Sequence, residues 1–203
     1  VGKLVNLDLV LKETPLLGDI GIGHTRWATH GGVSTENAHP HVASGRVAIV
    51  HNGIIENHRT IRARLETAGH QFSSDTDSEV LAHLFVEAFD AGLDPATATR
   101  QVLDEIDGAY AFAVMAIDHP DLLIVARNAS PLALGIGDDA CYVGSDAIAL
   151  SHLTRKEVYL KDHDYALVCA DGVSIYQANG TPVNREAVIV AASPGLVDKG
   201  GYR

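Results

Sequence analysis

The chain has 203 residues, 46% hydrophobic and 20% charged, enough to bury one sizeable core. Its charges are interspersed with apolar residues, which argues against wholesale disorder. The net charge of −11 argues against nucleic acid or an anionic membrane as partner, since either needs a concentrated basic stripe.

The densest basic cluster, Arg59, Arg62 and Arg64, lies at helical spacing beside Glu56 and Glu66 and reads as a solvated helix face. Cys141 and Cys169 sit in strand-like apolar runs without a CxxC partner, so buried thiols in a reducing cytosol are expected. No apolar stretch approaches the roughly 18 residues of a membrane helix. The start, Val1-Gly2-Lys3-Leu4, lacks the apolar core of a signal peptide.

In chain order, Leu4, Leu7 and Leu11 predict a short helix that stops before Pro15. Ile20–His24 and Arg46–His51 read as short strands. The loop between them, rich in Gly, Thr, Asn, His and Pro, is longer than an ordinary connection and therefore a functional candidate. Three helices are expected next. The first covers about 57–68, with Ile61, Leu65 and Ala68 on one face and Gly69 as C-terminal cap. The second starts at Thr76, with Glu79 in capping-box position and Val80, Leu81, Leu84, Phe85 and Phe89 facing inward. The third opens at Asp94-Pro95 and ends near Ile106.

Short strands then follow at Ala109–Ile117, Leu122–Ala126, Ala133–Gly137 and Ala140–Val143, with a short helix around Asp146–His152. Val158–Leu160, Tyr165–Ala170 and Val173–Tyr176 continue the strands, the last two forming a hairpin turned at Asp171-Gly172. Strands and helices segregate, which predicts α+β layers over a doubly wound parallel sheet. Ser193–Arg203 is poor in apolar residues and reads as a linker, leaving 1–192 as one domain.

Three polar segments carry chemistry. Gly21–Gly31 presents Arg26, whose rigid fork suits a carboxylate, although alone it could equally pair with a structural acid. His51-Asn52-Gly53 follows an apolar strand. Asn-Gly there is commonly a turn, but Asn52 and Gly53 can also offer a side-chain and a backbone N–H to an oxyanion. Ser74–Glu79 crowds acids at a helix start, either as capping or as a seat for a substrate ammonium. His24, His30, His39, His41 and His51 show no recognisable ligand spacing, so no metal is expected. Together the segments supply a cation for a carboxylate, an anion for an ammonium and two oxyanion donors. That set fits an α-amino acid attacked at its side-chain carbonyl.

The strings GHTRWATHG, NAHPHV, VHNGIIEN and SDTDSEVLAHL resemble, in order and spacing, the glutaminase domains of glutamine–fructose-6-phosphate aminotransferases. EIDGAYAFAV, ARNASPLALGIG, GSDAIAL and DKGGYR extend the likeness over essentially the whole chain. The resemblance implies an N-terminal-nucleophile hydrolase fold, a four-layer αββα sandwich. It implies L-glutamine as substrate and no cofactor, with ammonia passed to fructose-6-phosphate in a separate isomerase domain of a dimeric cytoplasmic enzyme. By motif match Arg26 holds the glutamine α-carboxylate, Asp77 its α-ammonium, and Asn52 and Gly53 form the oxyanion hole. Trp27, Thr29, His30 and His39 line or gate the pocket, and Trp27 also gates the ammonia passage.

In that family the nucleophile is a cysteine at the mature N-terminus. Here Val1 stands first and the motifs arrive early, so the expectation is a glutaminase portion lacking its N-terminal part and inactive alone. Neither Cys141 nor Cys169 stands where it could substitute. Phosphoribosyl-pyrophosphate or asparagine-forming amidotransferases share the fold but not WATHG, NAHPHV and NGIIEN together. A non-catalytic glutamine-binding or structural domain is the remaining alternative.

Overall fold

A computed structural model describes residues 4–25 and 32–190. Two antiparallel sheets are built from β1 (His41–Ala43), β2 (Val47–Ile55), β3 (Gly108–Ala116), β4 (His119–Asn128), β5 (Ala133–Ile136), β6 (Cys141–Gly144), β7 (Lys156–Tyr159), β8 (Asp164–Cys169), β9 (Gly172–Gln177), β10 (Pro182–Val183) and β11 (Ala187–Ile189). The larger sheet has the order β1-β2-β3-β4-β8-β9-β10 and the smaller β11-β7-β5-β6. Helices α2 (His58–Thr67), α3 (Glu79–Asp90) and α4 (Pro95–Glu105) intervene between β2 and β3.

The alternation of side chains along the central strands explains the layering. Phe112 and Val114 of β3, Ile124 and Ala126 of β4 and Tyr165 of β8 join the helices in one core. Their neighbours Ala111, Ala113, Val125, Ala166 and Val168 point the other way, into a second core with Leu134 and Val158 of the smaller sheet. Covered on both faces, β3 is apolar almost throughout. The result is helices on one sheet and that sheet on a second, the α+β sandwich expected. α3 buries most of its length, from Glu79 to Phe89. At α4, Asp94 accepts from the N–H groups of Ala96 and Thr97, with Pro95 in the first turn, as the sequence predicts.

Several local expectations change. Residues 20–25 form no strand, although Ile22 packs against the second core. β2 continues through Asn52 and Gly53 to Ile55 instead of ending at His51. The second helix begins at Glu79, not Thr76, and Ser78 at its N-cap makes no side-chain cap bond. The β8–β9 hairpin pairs Cys169 with Gly172, so Ala170-Asp171 form its turn, not Asp171-Gly172. Both thiols are free and half-buried, not fully buried. Near the start, α1 (Leu4–Glu13) buries no residue, and α5 (Ala147–Leu150) lies against β6. Among the described residues no helix is long and apolar enough to cross a membrane. The linker expected from residue 193 onward lies outside them.

Candidate functional site

Asn52 and Gly53 are strand residues, opposite Ala111 and Tyr110 of β3. The pair is therefore not a turn. Gly53 has φ +133°, and a Cβ there would lie 2.0 Å from the Ala109 carbonyl oxygen. Gly108 repeats the arrangement across the ladder, where a Cβ would lie 2.2 Å from the Ile54 oxygen. Only glycine permits this approach of two backbones. β2 thus carries Asn52, exposed, to a point beside the start of α3.

The segment before α3 supplies the other side. Asp77 is buried, and its Oδ2 accepts the Ile55 N–H at 2.8 Å, closing the end of β2. Ser78 Oγ lies 2.8 Å from His51 Nδ1, and Thr76 Oγ1 lies 2.9 Å from His41 Nε2. Glu79, 1% exposed, accepts from the backbone N–H and hydroxyl of both Ser73 and Ser74 at 2.6–2.8 Å. This is why no capping box forms: the carboxylate binds the residues before Thr76 instead. Asn37 fastens the preceding loop, donating to the Gly32 carbonyl and accepting from the Asp75 N–H.

Histidines fill the space between. The His24 and His39 rings stack at 4.3 Å and 20°, and His39 meets His41 edge-on at 4.6 Å. The His51 N–H donates to His39 Nδ1 at 3.1 Å, and His24 Nε2 lies 2.7 Å from Asn52 Oδ1. The structure therefore brings Asn52, Gly53, Asp77 and His39 together. Arg26, Trp27, Thr29 and His30 lie outside the described residues. Sequence reasoning missed His24, His41, Ser78 and Glu79 as parts of this assembly. The only signal was the density of His and hydroxyl residues in the two flanking segments.

Burial pushes the His51 imidazole down from its usual 6.5 to about 4. Nearby His24 and His41 act in the same direction, and Asp77 opposes them. Burial by itself would raise the Glu79 carboxyl, but donors from His83, Ser74 and Ser73 outweigh it and hold the group well below the carboxylate range. Both shifts are downward, so the unfolded chain takes up these protons first as pH falls. Stability contributed by His51 is complete above pH 6.5 and lost as pH falls toward 4, by about 3 kcal/mol. The Glu79 contribution declines below its ordinary 4.5. Urea midpoints measured across this range should fall with acid, and His51→Gln should flatten the upper interval. An unchanged slope in that variant would remove His51 from the account.

The α+β sandwich thus gathers the Asn52 amide, the Gly53 backbone and the Asp77 carboxylate toward one end of β2. The family model for the glutamine amidotransferase domain matches residues 24–152. The chain belongs to that family.

Over 202 residues it is 50% identical to the glutamine–fructose-6-phosphate aminotransferases (isomerizing) of Zymomonas mobilis subsp. mobilis and Mesorhizobium japonicum, covering 100% of this chain and 33% of each. It thus spans about a third of the length of these relatives. Among solved structures it is similar to the glutamine phosphoribosylpyrophosphate amidotransferase from B. subtilis. That match has TM-score 0.63 and 26% identity over 76% of this chain and 34% of the other. A glutamine aminotransferase class-II domain protein from Silicibacter pomeroyi shares the fold at TM-score 0.51 and 18% identity, over 71% of each chain.

Proposed function

We propose that residues 1–192 are the glutamine-hydrolysing portion of an enzyme that passes ammonia to fructose-6-phosphate, giving glucosamine-6-phosphate. Residues 193–203 then begin the linker to its isomerase domain, and the complete protein is a cytoplasmic homodimer. The observation that carries the reading is the placement of Asn52 and Gly53 in a strand that ends on the buried carboxylate of Asp77. Attack on the glutamine carboxamide develops negative charge on its oxygen. The Asn52 side-chain N–H and the Gly53 backbone N–H stabilise that charge. Asp77 attracts the α-ammonium and Arg26 the α-carboxylate, while Trp27, Thr29, His30 and His39 line or gate the pocket. The nucleophile in this reading is an N-terminal cysteine upstream of Val1, since Cys141 and Cys169 belong to β6 and β8. The 50% identity to the sugar-phosphate enzymes, against 26% to the phosphoribosyl-pyrophosphate structure, supports fructose-6-phosphate as acceptor.

The test is glutamate release from glutamine by the full natural polypeptide and by this chain, each with and without fructose-6-phosphate. Activity in the full polypeptide alone, stimulated by the sugar phosphate, is expected. Silence from both would favour a non-catalytic glutamine-binding domain, and activity in this chain would show that the nucleophile has been misplaced.

A further inference from the structure

An amide donates to an oxyanion only when its nitrogen, not its oxygen, faces the charge. The terminal torsion of asparagine is broad and roughly two-fold, so Oδ1 and Nδ2 exchange places easily on an exposed side chain. Turned the wrong way, Asn52 would aim carbonyl lone pairs at the developing negative charge. Something must choose between the two orientations.

We propose that His24 makes that choice, as a positioning residue that holds Asn52 Oδ1 and leaves Nδ2 facing the substrate oxygen. The proposal rests on the oxyanion reading of Asn52 given above. His24 Nε2 lies 2.7 Å from Asn52 Oδ1. A carbonyl oxygen only accepts, so the imidazole proton sits on Nε2. His24 Nδ1 is buried with no hydrogen-bond partner among the described residues, which leaves it as the unprotonated nitrogen.

The imidazole is itself held from behind. It stacks on His39 at 4.3 Å, and His39 Nδ1 accepts the His51 N–H at 3.1 Å. His39 also meets His41, which joins Thr76. His51 belongs to β2, the strand that carries Asn52. The ring that orients the amide is therefore referenced to the same backbone as the amide, through the half-buried His39. This gives the histidine stack a role in geometry without making it acid, base or metal ligand.

In the full natural polypeptide, His24→Ala is expected to lower kcat for glutamine hydrolysis by about tenfold or more, with KM changed far less. His24→Gln, whose side-chain amide can donate to Oδ1, should recover most of the loss. In an Asn52→Ala background, His24→Ala should have no further effect, because nothing remains to orient. Nitrogen NMR of the wild-type His24 imidazole should place its proton on Nε2. Additive losses in the double variant, a purely KM effect, or a proton on Nδ1 would each overturn the proposal. If Asn52→Ala lowers kcat and His24→Ala does not, positioning fails while the oxyanion hole stands. If Asn52→Ala leaves kcat unchanged, it is the oxyanion reading that fails.

Discussion

Gly53→Ala is expected to destabilise the chain by about 4 kcal/mol, combining overpacking with an unfavourable backbone conformation. The new Cβ would lie 2.0 Å from the Ala109 oxygen, 2.8 Å from the Ala109 carbonyl carbon and 3.0 Å from Tyr110 Cα. All three are backbone atoms of the adjacent chain, so no rotamer change relieves the contact. β3 has little freedom to retreat, since it is paired with β4 on its other side and packed between two cores. The residue also adopts φ +133°, which L side chains rarely reach. Gly69→Ala separates the two contributions. It has φ +98° with nothing within 4 Å of the added Cβ. Its cost should be only about 1 kcal/mol. Urea midpoints of the two variants against wild type decide the matter. Equal losses would mean that backbone conformation alone, and not the approach of β3, demands glycine at position 53.

That glycine also shows where the sequence is legible and where it is not. The Asp94 cap of α4 and the proline that follows it are local properties, and they appear where the local chemistry places them. So do Ile61 and Leu65 on α2. The run of apolar residues in β3 is legible as a strand, but its two-sided burial depends on a second sheet about which the run itself says nothing. Asn52-Gly53 misleads for a physical reason. In isolation the dipeptide favours a turn, yet nine residues of pairing with β3 and the relief of contact at Gly53 and Gly108 keep it extended. Glu79 misleads similarly: the capping box is a local option, and the serine hydroxyls and N–H groups before it supply a better one. Motif resemblance groups Asn52, Gly53, Asp77 and His39, and hydrogen bonds and ring contacts make them neighbours in space. The imidazole stack is not legible in this way, because no spacing rule relates His24, His39 and His41, which meet only through the tertiary arrangement of the loop before β1 and of β1 itself.

Asn52→Ala in the full natural polypeptide is expected to lower kcat for glutamine hydrolysis by about 10²–10³, the loss of one oxyanion donor, equivalent to about 2.7–4 kcal/mol of transition-state stabilisation. The fold should hardly notice. Asn52 is exposed, and among the described residues its side chain bonds only to His24. KM should change little, because the neutral carboxamide of bound glutamine gains less from the donor than the oxyanion does. Asn52→Asp distinguishes donation from mere support of the strand. A carboxylate of nearly the same shape can still accept from His24 Nε2, so the imidazole contact survives. What it cannot do is donate, and it adds a negative charge where negative charge develops. If Asn52 acts as an oxyanion donor, Asn52→Asp must be at least as damaging as Asn52→Ala. If Asn52 only braces β2 against His24, Asn52→Asp should approach wild-type turnover while Asn52→Ala does not. Initial rates of glutamate release at saturating glutamine, with melting temperatures to show that each variant is folded, separate these two orders unambiguously.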